Sequence, residues 1–150
     1  MADDRLTRRI VIACVVLGAA TGGRSTLGPV VARMSTGNRS TWSRAAALSG
    51  VAAELVGDKL PRTPSRLKAA PLAGRVASGA LTGSLLAGSG GVSRLVPAAV
   101  GAGAALAGSY AGAAWRGAWA RTGRPDLPAA LAEDAVAVGL AYAGYRALRR

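Results

Sequence analysis

Charged side chains sit inside the most apolar stretches of this chain, and their spacing is where chemistry could be done. Glu54 and Asp58 are four apart in "VAAELVGDKLP", so on a helix they share one face. Arg75 interrupts "LAGRVASG", Arg116 follows Trp115, and Glu133 and Asp134 stand side by side in "LAEDAVAVGLA". At 1.5 Å per residue, Glu54 lies roughly 9 Å before its run ends at Leu60, and Arg75 about six residues into the next run. Arg116 lies about five residues before Arg121, and Glu133 about six after Leu127. Two acids and two arginines from four apolar runs therefore share a depth. In a bilayer each such charge costs ~2.5–3.5 kcal/mol and seeks a partner in the bundle interior. The expectation is one intramembrane polar cluster, with Glu54 beside Arg75, Glu133 beside Arg116, Asp58 at its mouth and Asp134 adjoining. Such a cluster either handles an ion or proton, or only neutralises charge and holds helices in register.

Other chemistry finds little support. There is no His and one Cys, so the common zinc and iron constellations and a histidine general base are absent. Ser25 and Thr26 beside Arg24 read as a polar turn, not a nucleophile with its base. No catalytic residue, cofactor or metal is expected. Cys14, within "IVIACVVLG", reads as a small apolar packing residue.

The elements that must carry these charges follow from composition. The chain has 150 residues, room for one domain, and is 51% hydrophobic with 21 Gly and no Phe. Its mean hydropathy of +0.30 stands against a formal net charge of +12. A basic nucleic-acid binder spreads its charge over amphipathic helices. Here the charge falls between long apolar blocks, the pattern of membrane spans joined by basic loops, and no nucleic-acid partner is expected. The excess of Arg over Lys, 17 to 2, reflects a composition bias of the kind found in high-GC bacteria and carries little functional weight.

Five apolar blocks stand out, at about 6–23, 44–60, 69–91, 95–119 and 127–146. The first is about 27 Å long as a helix, and reads as a span or signal anchor that stays attached. Residues 27–34 after Gly28-Pro29 could be a half-helix or a loop. Ser43 is a good N-cap for the second block, which Pro61 ends. The fourth runs from Leu95 to Trp115 without a charge. Asp126 caps the fifth, with Pro128 early in it. Strand alternation is not sustained. The fold class expected is all-α, a polytopic transmembrane bundle of about five short Gly/Ala-rich helices in one integral membrane domain.

Gly79-x-x-x-Gly83 and Gly108-x-x-x-Gly112 fit the small-x-x-x-small pattern of close helix packing, within the chain or in a homo-oligomer. Gly101, Ala105, Gly108 and Gly112 form an all-small face. Trp42, Trp115, Trp119, Tyr142 and Tyr145 read as interfacial anchors against membrane lipid. If the five blocks alternate in direction, ten basic residues fall on the side of the chain start and seven on the other. That favours a cytoplasmic start, with dual insertion left open.

"GAATGGRSTLGPVV", "AELVGDKLPRTPSRL" and "LAEDAVAVGLA" resemble, in order, three signature stretches of the bacterial membrane-protein family called domain of unknown function 4126. The matching residues are a Gly-Arg turn after the first helix, then Glu54, Asp58, Lys59, Leu60 and Pro61, then Glu133-Asp134. The resemblance implies a bacterial inner-membrane location and no activity. A faint internal echo links "AATGGRS…AALSGVAAEL" to "AGAAWRG…LPAALAEDAV". With alternating spans the copies would be inverted, as in many transporters. The function expected is a small transporter or ion- or proton-permeation protein. The alternative is a structural or partner-binding membrane protein whose ion pairs serve stability alone.

Overall fold

The computed structural model describes residues 2–35 and 67–149, and every regular element among them is helical. The second apolar block, 44–60, with Trp42, Glu54 and Asp58, lies outside the described residues. Five helices follow in order: α1 Ala2–Gly23, α2 Leu27–Ser35, α3 Ala69–Gly90, α4 Leu95–Ala120 and α5 Asp126–Arg149. The open segment after Arg24 is thus helical. Pro29 is tolerated there because it sits in the first turn of α2, where backbone N–H groups have no intrahelical acceptor.

The helix ends follow from local chemistry. Gly91 adopts a left-handed φ of 67°, and its N–H and that of Val92 return to Ala87 O, closing α3. Pro97 and Pro128 each occupy the third helical position of their helices, where a missing N–H costs little. Gly123, also left-handed with φ 68°, turns the chain out of α4 toward Pro125. Asp126 opens α5 and Arg146 and Arg149 close it, each charge favourable to its end of the helix dipole.

Three helical stretches are long and apolar enough to cross a membrane: Leu6–Gly23, Leu95–Ala120 and Asp126–Arg149. α3 matches them in length at 22 residues, but five Gly, three Ser, Thr82 and Arg75 dilute its apolar character. It is sheltered instead, packing on α1, α2 and α4. α1 is the hub, touching every other described helix. Ile10, Ala13, Cys14 and Leu17 of α1 join Ala32 of α2 and Leu86 of α3 in the core. The outward faces of α4 and α5 stay apolar, with Leu95, Val96, Leu131, Val136 and Val138 all exposed.

Glycine sets the helix directions. A methyl at Gly18 would come within 2.6 Å of Gly101 O, and one at Gly22 within 2.5 Å of Ala105 O and Ser109 N. Positions rise together on both helices, so α1 and α4 run parallel. Gly79 meets Gly101 and Gly83 meets Pro97, so α3 is antiparallel to α4. Gly144 abuts Leu17 and Gly23 faces Ala137, so α5 is antiparallel to α1. Strict alternation of five spans would have set α1 against the direction of α4. The observed order gathers the first turns of α1, the turn at Ser93 and the end of α5 at one end of the bundle. The leading helices of the two echoing stretches are therefore not inverted with respect to each other.

Candidate functional site

Two ion-paired groups are seen among the described residues. Arg24 follows α1 directly and is 8% exposed. Its Nε and Nη2 both donate to Asp134 Oδ1, at 2.9 and 2.5 Å. Arg116, near the end of α4, donates through Nη2 to Asp126 Oδ2 at the start of α5. Its Nη1 lies 3.6 Å from Glu133 Oε2, an ion pair longer than a hydrogen bond. Glu133 and Asp134 are neighbours in sequence, so on a helix they point about 100° apart. One turns to α4 and the other to α1.

Arg75 is buried at 5% exposure on α3. The register of Gly79 on Gly101 and Ala105 carries Arg75 to the level of Ala105–Ser109. That is seven to eleven residues short of Arg116, or roughly 10–16 Å along the helix. The shared depth expected for these two arginines fails because α4 is 26 residues long and overhangs the 22-residue α3 at that end. The Arg24–Asp134 pair was not foreseen. Its signal was present, since an Arg at the end of an apolar helix needs an acid and Asp134 stood beside one already assigned.

Glu133 opens into a groove of about 270 Å3 between α4 and α5, floored by Ala19 and Gly23 of α1. Ala111, Gly112 and Trp115 form one wall, and Val136 and Leu140 the other. The Glu133 side chain is 9% exposed, in an otherwise apolar lining. Trp115 Nε1 donates to Ala129 O at 3.2 Å, which pins the indole across the top of the groove. Trp119 stacks at a tilt against it, centroids 5.7 Å apart, and donates to Pro125 O at 2.9 Å. Arg124 lies over Trp119, 5.9 Å from its centroid. At the opposite end Arg146 lies over Tyr142 and Arg149 over Tyr145. These aromatic–cation pairs mark both ends of the bundle.

The small-residue positions lie at helix contacts. Gly79 and Gly83 take the backbone of α4, and Gly108 takes Ala19 O of α1 at 2.5 Å from where a methyl would stand. Gly112 lines the groove. Ser109, fully buried, donates to Ala105 O at 2.8 Å and reaches Gly22 O at 3.3 Å, a polar tie between α4 and α1. Among the described residues no group of three or more His, Cys, Asp or Glu is placed to hold a metal ion.

This is an all-helical bundle with the apolar helices of a membrane protein and one carboxylate set into an apolar groove. Comparison with protein-family models, with curated proteins and with solved structures finds no match to the chain.

Proposed function

We propose that the chain is a small polytopic protein of a bacterial cytoplasmic membrane that moves a small cation or a proton, with Glu133 as the exchangeable charge. The observation that carries this is the Glu133 carboxylate, nearly buried in an apolar groove on two helices able to span a bilayer. An ionisable group at such depth is costly and is kept where it works or where it is neutralised. Arg116 on the neighbouring helix approaches it to 3.6 Å as a charge partner. In this reading the end with Arg8, Arg9, Arg94, Arg146 and Arg149 faces the cytoplasm. The reading assigns no covalent chemistry.

Proteoliposomes test it. An imposed pH or potassium gradient should drive charge through the wild-type protein, read with a potential-sensitive dye, and Glu133→Gln should abolish the current. Silence of the wild type under both gradients would leave the second reading, a structural membrane protein. That alternative draws on the Arg24–Asp134 pair and the glycine contacts, which stitch α1 to α4 and α5 without any need for a ligand.

A further inference from the structure

We infer that the groove between α4 and α5 seats one acyl chain of an anionic phospholipid, whose phosphate is held by Arg121 and Arg124 at the α4–α5 turn. The inference goes beyond the ion-handling reading and holds whether or not Glu133 moves a charge.

Shape selects a hydrocarbon chain. The two walls descend together, α4 from Trp115 to Gly108 and α5 from Glu133 to Leu140, seven residues each or about 10 Å along the helices. A volume of about 270 Å3 over that length leaves a slot of roughly 27 Å2 in section, several-fold less than that of a helix 10–12 Å across. One acyl chain fits such a slot lengthwise, and a partner's helix does not. Below the level of Glu133 the lining carries no polar side chain. Ala111 and Val136, both in the lining, are exposed, so the slot opens to the outside of the bundle.

Charge selects the headgroup. The two acids nearest the turn, Asp126 and Glu133, are both approached by Arg116. Arg121 and Arg124 stand apart from them, exposed and without an ion pair among the described residues. The turn that carries them is ordered. Thr122 Oγ1 donates to Trp119 O at 2.7 Å, and Trp119 Nε1 donates to Pro125 O at 2.9 Å. Arg124 lies over the Trp119 ring, 5.9 Å from its centroid. Two guanidinium groups on a fixed turn suit a phosphate, whose oxygens accept from arginine in pairs.

Depth joins the two. Arg121 lies six residues beyond Trp115, or about 9 Å further along the helix direction. The headgroup layer of a bilayer adds about 5–8 Å to each face of its hydrocarbon core. With Trp115 and Trp119 at the boundary, where such rings favour sitting, the arginines reach the phosphates while the slot lies among the tails. Basic groups placed this way at helix ends recognise anionic lipid.

The test uses the full chain carrying Trp42→Phe in phosphatidylcholine vesicles, so that Trp115 and Trp119 report by fluorescence. Phosphatidylglycerol brominated in its tails should quench them with a relative association constant at least about fivefold above that of identically brominated phosphatidylcholine, the factor one arginine supplies near a membrane surface. Arg121→Gln with Arg124→Gln, both exposed positions, should bring the ratio to about one. Ala111→Leu fills the slot from an exposed position, changes no charge, and should lower the ratio as well. If Trp42→Phe does not fold, the same ratios are read with Trp42 present, and their change in the two variants still isolates this end. Equal quenching by both lipids in the parent protein, or the parent ratio in either variant, overturns the inference. Protection from both lipids, the result if a second copy of the chain covers the slot, overturns it equally.

Discussion

Arg24 Nε and Nη2 converge on a single oxygen of Asp134, Oδ1, from 110 residues away in sequence. This pair locks the exit of α1 onto the third turn of α5, next to the glutamate of the groove. Both hydrogen bonds are charge-assisted, and the arginine is almost wholly withdrawn from solvent.

Removing both partners should therefore cost less than the two single losses added together. Arg24→Gln and Asp134→Asn should each lower stability in detergent by about 1.5–3 kcal/mol, the range for hydrogen bonds to charged groups. The double variant should lose less than the sum, read as thermal midpoints. Strictly additive losses would show that the two side chains are energetically independent.

Glycines on one helix should differ sharply in tolerance. Gly108→Leu drives a side chain into Ala19 O of α1 and should cost at least about 1–3 kcal/mol, the usual penalty of overpacking. A methyl at Gly103, an exposed position on the same helix, meets nothing within 4 Å, so Gly103→Leu should extract and unfold like wild type. Matching profiles for both variants on size exclusion and melting would show that α1 and α4 do not meet there.

Arg116 should matter more than either acid it serves at the α4–α5 junction. The Asp126 side chain is 66% exposed, so Asp126→Asn should change stability by no more than about 1 kcal/mol. Arg116→Gln removes a positive partner from both Asp126 and the nearly buried Glu133, and should cost more than Asp126→Asn by thermal melting. A larger loss from Asp126→Asn than from Arg116→Gln would contradict the shared geometry.

The parallel course of α1 and α4 has a direct readout. In a Cys14→Ala background, cysteines at Leu6 and Ser93 should react with an impermeant maleimide from the same side of a sealed vesicle. One at Thr122 should react from the other. Labelling of Leu6 and Ser93 from opposite sides would restore the alternating order.

Much of the helical layout could be read from the sequence because punctuation and hydropathy coincide. Gly91, Pro97, Asp126 and Pro128 bound apolar runs, and the observed ends of α3, α4 and α5 fall within about three residues of those expected. Direction was harder. Alternation assumes that each apolar block crosses once, whereas the direction of α4 against α1 is set by the Gly18 and Gly22 notches receiving Gly101 and Ala105. Such matching of surfaces leaves no mark on hydropathy. The site was legible in part for a related reason. Depth along a helix can be counted, which brings Glu133 toward Arg116, but azimuth cannot be assigned without knowing the neighbours. Hence Asp134 faces Arg24, a residue that stood outside every apolar block.

The seating of Gly18 on Gly101 also orders events at synthesis. They stand 83 positions apart (101 − 18), so at roughly 5–20 residues per second α1 waits on the order of 4–17 seconds for its parallel partner. The α3–α4 hairpin has no such delay, because Gly83 and Pro97 are close in sequence and can meet as soon as Gly91 turns the chain. Assembly then becomes the docking of a finished hairpin onto an α1 already joined by α2. A nascent chain stopped before Gly101 leaves the Gly18 and Gly22 notches of α1 without the backbone that fills them.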